Sequence, residues 1–360
     1  MSLLSTMPDP APEKKSAPLF SAEALLLWYD RGARALPWRV PPSDRRAGRR
    51  PDPYRVWLSE IMLQQTTIAA VRGYFLDFTS RWPTVADLAA APLDDVLARW
   101  AGLGYYARAR NLHKAAQAIS GERAGIFPTT VAELEALPGI GAYTAAAIAA
   151  ICHDARVPVI DGNVERVLAR LMRLETPPRD AKAALRAALF ATVPERAGDF
   201  AQALMDLGAT LCAPRAAACG LCPLRPDCAA ATLPDPTLYP RRPVKAERPI
   251  RRGHAYVMTR SDGSVFLVRR LDKGLLARMA GVPVSVWAAT RAAPDYPMPG
   301  AWHRAGDIVH VFTHFRLELT IWHLAGASEP PADGWWCRPE ELANAALPTV
   351  FRKVLALVLG

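Results

Sequence analysis

Four of the six cysteines of this 360-residue chain lie within one short segment rich in proline and alanine. They follow the spacing C-x6-C-x2-C-x5-C, as Cys212, Cys219, Cys222 and Cys228. Thiolates are soft ligands that favour zinc or iron–sulfur clusters. A structural zinc site usually joins two C-x2-4-C pairs, whereas this segment has one such pair with a single cysteine on each side. The spacing therefore favours a 4Fe-4S cluster, with a zinc ion or disulfides as the alternatives.

The disulfide alternative requires an oxidising compartment. Residues 1–20 contain four prolines and the pair Lys14-Lys15, and they have no apolar core of signal-peptide length. No uninterrupted apolar run in the chain reaches the length of a membrane span. We therefore expect reduced thiols, a location in the bacterial cytosol or nucleoid, and no membrane association.

The hydrophobic content of 51% is enough for two domains, each with its own core. The patterns predict a disordered tail over 1–19, an almost entirely helical domain over 20–230, an extended proline-rich basic linker over 231–250, and a smaller domain over 251–360. The fold class is mainly α, followed by a smaller α+β domain.

Apolar positions recur at helical spacing in the segments 22–29, 54–79, 94–101, 105–119, 131–137 and 142–152. Pro53 and the pair Thr130 and Glu133 mark helix starts. Beyond residue 255 the pattern changes to strands, at 265–268 and in the alternating stretch 315–321, and a helix is predicted at 351–359.

The net charge of +10 comes almost wholly from arginine. Arginine-rich surface suits phosphate, although a GC-rich gene also enriches a chain in arginine. Two concentrations stand out: Arg39, Arg45, Arg46, Arg49 and Arg50, and then Arg241, Arg242, Lys245, Arg248, Arg251 and Arg252.

A glycine-containing turn, Leu-Pro-Gly-Ile-Gly at 137–141, lies between two of the predicted helices. Gly139 and Gly141 have no Cβ to obstruct an approaching backbone, and the turn opens a helix whose free N–H groups face outward. Such a turn holds an anion, and on a basic protein the expected anion is a DNA phosphate. An ordinary helix–helix connection is the alternative.

The segment that follows this turn distinguishes a DNA-binding hairpin from an ordinary helix–helix connection. The predicted helix from Ala142 is followed by Val-Pro-Val-Ile-Asp-Gly-Asn-Val at 157–164. Here the chain resembles the helix-hairpin-helix DNA glycosylases, whose hairpin is followed at about this interval by a catalytic aspartate, which would be Asp161. The hairpin, the aspartate and the four-cysteine loop occur in that family's order. The alternative for Asp161 is a helix N-cap ahead of Val164, a role that Asn163 could also fill.

Two further segments, 53–66 and 102–112, closely resemble the adenine-specific members of this family. The bifunctional endonuclease III type has a lysine where this chain has Tyr143, and without an amine no imine forms, so strand cleavage is not expected. The resemblance implies a monomeric, monofunctional base excision repair enzyme that removes adenine opposite 8-oxoguanine or guanine in double-stranded DNA. An endonuclease III-like lyase and a non-catalytic iron–sulfur DNA-binding protein are the alternatives.

Adenine is a poor leaving group, so its release requires a proton on the base and stabilisation of the oxocarbenium-like sugar. Glu60 lies among apolar side chains, which raise the pKa of a carboxyl group. The resemblance implies that Glu60 protonates the adenine and later activates water, and that Asp161 stabilises the sugar cation. Tyr143 and Asn163 match positions that support this pair.

A base must leave the stack before an enzyme can reach it, and the gap must be filled. Gln64, Gln65 and Tyr105 match the family's wedge residues, although Tyr105 alone would be interpreted as a core aromatic. By helical period, Gln64 and Gln65 lie about one turn beyond Glu60 and would face the same DNA. The family usually has a short connection ahead of Pro53, and we expect the arginine-rich insertion 40–52 to contact the DNA backbone.

The resemblance also implies that 251–360 form a Nudix-like domain that recognises 8-oxoguanine opposite the adenine. A Nudix hydrolase needs a cluster of glutamates for its metal, but Glu318 is the only glutamate between Arg251 and Ser328. Pyrophosphohydrolysis is therefore not expected. Thr313 and His314 align with the family's Phe-Ser-His recognition loop, and Thr313 keeps the hydroxyl of the serine that it replaces.

Overall fold

The computed structural model describes residues 17–241, 247–270, 275–329, 333–345 and 347–360. The predicted disordered tail lies outside these residues up to position 16, as does the part 242–246 of the predicted linker. Contacts divide the chain into two units, Met1–Ala91 with Asn111–Pro243, and Pro92–Arg110 with Val244–Gly360. In the described parts of the chain, no helix is long and apolar enough to cross a membrane.

Helices dominate the chain up to the cysteine segment, as predicted. They are α1 (Ala22–Gly32), α2 (Pro42–Arg46), α3 (Pro53–Leu63), α4 (Ile68–Arg81), α5 (Val85–Ala90), α6 (Leu93–Arg99), α7 (Ala107–Glu122), α8 (Val131–Glu135), α9 (Ala142–His153), α10 (Gly162–Leu171), α11 (Lys182–Phe190) and α12 (Ala197–Ala209). Both predicted helix starts are confirmed. Pro53 is the first residue of α3, behind an Asp52 cap, and Thr130 caps α8 by accepting from the amide of Glu133 at 3.3 Å.

The segment 54–79, predicted as one helical stretch, is two helices. α3 ends at Leu63, and Gln65 has a φ of 60°, which lies in the left-handed region and stops the helix. Thr67 then starts α4, because its hydroxyl accepts from the amide of Ala70 at 3.3 Å. The helical-period argument that placed Gln65 one turn beyond Glu60 is therefore wrong.

Three of the described helices of the first unit, α3, α9 and α12, are buried over most of their length. In α9, every residue from 144 to 152 is buried, and α9 packs against α3 and α12. In α3, every residue from 56 to 62 is buried. A helix that is apolar all round belongs in the interior, and alanine lets neighbouring helices approach α9 closely. Consequently Glu60, within α3, is placed in the core of the unit.

The predicted hairpin between two helices is confirmed, since 136–141 connect α8 to α9. Gly139 has a φ of +76°, and a Cβ built on it would lie 2.5 Å from the Cβ of Asn111. Both facts require glycine at this position. Gly139 and Gly141 are exposed, so the backbone of the turn is open to a ligand.

The arginine-rich insertion 40–52 is anchored in the first unit by one buried arginine, while its other three arginines are at the surface. Arg45 is buried; its Nη1 donates to the carbonyl of Ile151 at 2.6 Å, its Nη2 to Asp154 at 2.9 Å, and its Nε lies 3.0 Å from Oδ1 of Asp199. The remaining arginines of the insertion are also ion-paired: Arg46 with Asp30, Arg49 with Asp44 and Arg50 with Asp154. The expectation of DNA backbone contact is wrong for Arg45, because its guanidinium is buried and paired with carboxylates of the protein.

The first part of the predicted extended linker is packed. Residues Ala229–Thr232 and Pro236–Leu238 form 3-10 turns, and the ring of Tyr239 is buried. Arg170 Nε donates to the carbonyl of Tyr239 at 3.0 Å. The proline pattern was misleading here because one buried aromatic side chain fixes the segment against α10. The exact limits of the domains and linker stay a prediction.

The second unit contains a six-stranded sheet. Its strands are β1 (Ile250–Thr259), β2 (Val265–Arg269), β3 (Ala280–Gly281), β4 (His303–Val311), β5 (Arg316–Ala325) and β6 (Trp335–Cys337). The order is β3-β2-β1-β5-β4, with β6 paired to β2; β1 and β5 are parallel and the other pairs antiparallel. A final helix, α13 (Thr349–Leu359), buries Phe351 and Val354 against the sheet. The predicted strands at 265–268 and 315–321 and the closing helix are confirmed.

We predict that Arg45→Ala lowers the free energy of unfolding by about 3–5 kcal/mol, because it leaves the buried carboxylate of Asp199 without that partner. Arg49→Ala is the matched control. Arg49 comes from the same insertion, but its side chain is 68% exposed and pairs with Asp44 at 3.2 Å, so its loss should cost less than about 1 kcal/mol. Denaturant unfolding of the two variants and the parent measures both values. Equal losses would show that the insertion is not anchored through Arg45.

Candidate active site

A cavity of about 430 Å³ opens in the first unit, with walls from α3, α9, α10 and α12. Four of the predicted site residues meet there, Glu60, Tyr143, Asp161 and Asn163, together with the predicted wedge residues Gln64 and Gln65. The rest of the lining comprises Arg34, Leu36, Trp38, Arg39, Val56, Ser59, Leu63, Thr66, Ile68, Ile151, Gly162, Gln202, Met205 and Ala209.

Glu60 is a carboxyl group in a largely apolar wall, only 7% exposed. Its pKa is raised to about 7, chiefly by burial and also by the negative charge of Asp161, whereas a hydrogen bond from Tyr143 and the charge of Arg39 act in the opposite direction. The Tyr143 hydroxyl donates to Glu60 Oε2 at 2.8 Å. Burial also raises the pKa of Tyr143, so that hydroxyl keeps its proton. Glu60 can therefore hold a proton near neutral pH and release it to a bound group.

Asp161 is positioned by the helix that follows it. It is the N-cap of α10, and its Oδ1 accepts from the amide of Val164 at 2.7 Å. Its Oδ2 accepts from the side-chain amide of Asn163 at 2.9 Å. The N-cap role, which competed with the functional interpretation in the sequence, is thus real. It is compatible with a site role, because the cap orients a negatively charged group on the cavity wall.

Asn163 links this aspartate to the start of the cysteine segment. Its side-chain oxygen accepts from Arg166 Nη2 at 2.9 Å, and Arg166 Nε donates to the carbonyl of Cys212 at 2.9 Å. A Cβ on Gly208 would lie 2.7 Å from the Cβ of Asn163, so α12 approaches α10 as closely as glycine allows. Asn163 is therefore held by both hydrogen bonding and packing.

Sequence reasoning missed part of the cavity wall. Arg39 was counted among arginines suited to phosphate, but its side chain is largely buried and its Nη1 lies 2.8 Å from both oxygens of Asp206. Arg34 Nε donates to the same carboxylate at 2.6 Å. Asp206 lies more than 160 residues away from either arginine in the chain, and no local pattern connects them. The only available signal was that Arg39 ends the stretch Leu-Pro-Trp-Arg at 36–39, which resembles a motif of the family.

The three predicted wedge residues have different surroundings. Gln64 caps the end of α3, and its Nε2 donates to the hydroxyl of Thr144 at 3.4 Å. Gln65 lines the same cavity despite its left-handed backbone. Tyr105 belongs to the second unit, has a φ of 49°, and is 53% exposed. The alternative of a core aromatic is therefore wrong for Tyr105.

The four cysteines of the C-x6-C-x2-C-x5-C segment are free and half-buried. Burial raises the pKa of Cys222, and the nearby thiols of Cys212, Cys219 and Cys228 raise it further, so the four groups surround one region. Arg170 Nη1 also donates to Cys212 Sγ at 3.1 Å. However, among the described residues no three His, Cys, Asp or Glu side chains are arranged closely enough to hold a metal ion.

Thr313 and His314 are both exposed, on the turn between β4 and β5. The amide of Phe312 donates to the carbonyl of Phe315 at 2.9 Å and closes this turn. Glu318, on β5, is ion-paired with Arg252 at 3.1 Å and with Arg316 at 3.2 Å. The turn therefore offers a hydroxyl and an imidazole to a partner, while the nearby carboxylate is already neutralised.

Comparison with known proteins agrees with this two-part architecture. Residues 58–190 match the model of the HhH-GPD superfamily base excision DNA repair proteins, and residues 254–357 match the model of the NUDIX domain. A solved structure of a thermostable thymine-DNA glycosylase is similar to this chain, with 27% identity and a TM-score of 0.52 over 58% of this chain and 94% of the other.

Some curated relatives are similar to this chain over nearly its whole length. The adenine DNA glycosylase of Mus musculus is 34% identical over 92% of this chain and 76% of its own length. The adenine DNA glycosylase of Mycobacterium tuberculosis is 42% identical over 56% of this chain and 64% of its own length. Glu60 and Asp161 both lie within the stretch 58–190 that matches the HhH-GPD model. The chain thus belongs to the adenine DNA glycosylase family.

Proposed function

We propose that this protein is a monofunctional enzyme of base excision repair that hydrolyses the N-glycosidic bond of adenine mispaired with 8-oxoguanine or guanine in double-stranded DNA. One observation carries the proposal: two carboxyl groups line the same cavity in different surroundings. Glu60 is buried in an apolar helix with its pKa raised to about 7, and Asp161 accepts hydrogen bonds at a helix N-terminus.

The two groups suit the two halves of the reaction. Breaking the bond leaves electrons on the adenine, and a proton from Glu60 makes the base a better leaving group. The sugar becomes cation-like, and the negative charge of Asp161 stabilises it. Glu60, now ionised, can then accept a proton from the attacking water. Tyr143 positions Glu60, and Asn163 positions Asp161.

The proposal excludes strand cleavage by an imine. Tyr143 stands at the first turn of α9, where a lyase of this superfamily would need an amine, and its hydroxyl is engaged with Glu60. The same contact opposes an endonuclease III-like activity, and the pair of carboxyl groups in one cavity opposes a protein that only binds DNA.

DNA contact is assigned to the exposed backbone of the hairpin and to the wedge residues. Gly139 and Gly141 leave the turn open, and the first amides of α9 can donate to a phosphate. Gln64 and Gln65 border the cavity that would receive the flipped base, and Tyr105 is exposed for stacking.

The four cysteines are proposed to hold a 4Fe-4S cluster. The fit rests on four soft donors around one region, with backbone amides of Leu224 and Ala230 directed at Cys222 and Cys228. The segment has one C-x2-C pair with a single cysteine on each side, whereas a structural zinc site usually joins two C-x2-4-C pairs. The cluster would supply a rigid centre for the loop. Free thiols also fit the reducing bacterial cytosol, where we expect the protein to act as a monomer.

The Nudix-like domain is proposed to recognise the lesion without hydrolysing pyrophosphate. Thr313 and His314 project from an exposed turn and could donate to or accept from 8-oxoguanine. Glu318 is held by two arginines and is not available as a metal ligand.

The proposal predicts that the protein converts a duplex with one A:8-oxoguanine pair into a product that breaks only after hot alkali. Borohydride should trap little covalent adduct, since no amine is available to form an imine. Glu60→Gln and Asp161→Asn should each abolish adenine release with little loss of duplex binding, because each removes a charge or proton and keeps the shape. Nicking without alkali, or normal rates in either variant, would reject the assigned mechanism.

The single-turnover rate should fall as the pH rises through about 7, because Glu60 loses its proton there. Tyr143→Phe should move this alkaline limb to higher pH, since the Tyr143 hydroxyl stabilises the ionised carboxylate and lowers its pKa. Tyr54→Phe is the control, because Tyr54 lies on α3 as Glu60 does, but its hydroxyl donates to the carbonyl of Trp82 instead. A limb that stays in place in Tyr143→Phe would show that Glu60 is not the titrating acid.

Thr313→Ala combined with His314→Ala should reduce the preference for A:8-oxoguanine over A:G while leaving the A:G rate nearly unchanged. Each lost hydrogen bond should cost about 1 kcal/mol, which is about fivefold in the ratio of rates. Thr290→Ala, an exposed substitution elsewhere in the second unit, is the control. Excision on the two duplexes gives the ratio, and an unchanged ratio would mean that this turn does not contact the lesion.

A further inference from the structure

Asp206 is a buried carboxylate next to the active-site cavity that the proposed chemistry does not use. It lies on α12, and its side chain is 1% exposed. Both of its oxygens are 2.8 Å from Arg39 Nη1, Oδ1 accepts from Arg34 Nε at 2.6 Å, and Oδ2 accepts from the amide of Arg34 at 3.1 Å. One carboxylate thus fixes two guanidinium groups and a backbone amide.

The two arginines form a wall between two cavities. Arg34, Leu36 and Arg39 line the 430 Å³ cavity that contains Glu60, and they also line a second cavity of about 330 Å³. Each arginine borders open space on two sides, so its packing is incomplete although the Arg39 side chain is only 9% exposed. The contacts to Asp206 add to the restraint that packing supplies.

Arg39 lines the same cavity as Glu60, and its positive charge acts to lower the pKa of Glu60. Arg34 is the second arginine of that lining, and the other groups that interact with the Glu60 carboxyl are Tyr143, Cys152 and Asp161, none of which is positively charged. A guanidinium that paired directly with Glu60 would hold the carboxylate in its ionised form, so that no proton would be available for the leaving base.

We propose that Asp206 is a positioning residue that holds Arg34 and Arg39 in the wall between the cavities and keeps Arg39 from pairing with Glu60. The inference rests on the proposed function, because it assigns Asp206 to the protection of the general acid. Asp206 touches no reacting atom, and it acts through Arg39.

Asp206→Asn keeps the size of the side chain and removes its charge. Arg39 is then uncompensated and free to approach Glu60, and an opposite charge at close range lowers a carboxyl pKa by about 1–3 units. We expect the alkaline limb of single-turnover adenine excision to move to lower pH by about 1 unit. On the falling limb this corresponds to a rate about tenfold lower than that of the parent.

The matched control is Asp199→Asn. Asp199 is on the same helix, is equally buried, and pairs with two arginines, Arg45 and Arg196, which do not line the cavity. Its substitution should lower stability to a similar degree and leave the limb in place. Asp206→Glu, which retains the charge, should return the limb toward that of the parent.

A double variant tests whether the effect passes through Arg39. In Asp206→Asn with Arg39→Gln the carboxylate and the more deeply buried guanidinium are both absent, and the charge that loses its partner, that of Arg34, is on a side chain that is 26% exposed. Its limb should coincide with that of Arg39→Gln alone. An alkaline limb at lower pH in the double variant than in Arg39→Gln would show that Asp206 acts by another route.

Direct titration separates this inference from the proposed reaction. Carbon-13 NMR of the full-length protein, with the Glu60 carboxyl resonance identified by its loss in Glu60→Gln, reports the protonation of Glu60 without any turnover. A Glu60 resonance that titrates at lower pH in Asp206→Asn, but not in Asp199→Asn, supports the positioning role of Asp206. If the resonance shifts but the pH profile of excision does not, the positioning role stands and Glu60 is not the acid of the reaction. An unshifted resonance in Asp206→Asn overturns the inference.

Discussion

The burial of one carboxyl group, that of Glu60, sets the requirements for the rest of the first unit. α3 is enclosed over 56–62, so a charge at position 60 has little access to water. Such a group must be neutral or compensated. Burial raises its pKa to about 7, and the structure supplies one hydrogen-bond donor, Tyr143, in place of a full counter-ion. A stronger partner would remove the proton, and a fully apolar site would leave the ionised form without support.

The need to keep Glu60 protonated but able to ionise explains why each neighbouring charged side chain is held in place by other contacts. Arg39 is near enough to influence Glu60, yet its guanidinium is turned toward Asp206. Asp161 adds negative charge on the other side, and its own oxygens are occupied by Val164 and Asn163. Each charged group on the cavity therefore has a partner other than Glu60, which leaves the Glu60 carboxyl to exchange its proton with a bound molecule.

The sequence was sufficient where function depends on short motifs and insufficient where it depends on distant pairs. The hairpin glycines and the four cysteines were predicted from their spacing along the chain, whereas the roles of Glu60 and Asp161 were predicted from the resemblance of the chain to a known family. The break after α3 was missed because apolar periodicity continues through Gln65, whose left-handed backbone has no signature in hydrophobicity. The partners of Arg39 and Arg45 could not be predicted, since Asp206 and Asp199 approach them only through the packing of α12.

Net charge was the least informative property for the same reason. Much of the arginine in the first concentration is neutralised internally, and in the second Arg241 is paired with Glu175, Arg252 with Glu318, and Arg251 lies over the ring of Phe315. The net charge of +10 already subtracts the 34 carboxylates, so it does not show which of the 44 basic side chains are engaged within the protein. The hairpin offers a different kind of contact, because Gly139 and Gly141 expose amide groups that carry no formal charge. Amide donors at a helix start hold a phosphate in a fixed position, which is what an enzyme needs when a flipped base must reach a buried proton donor.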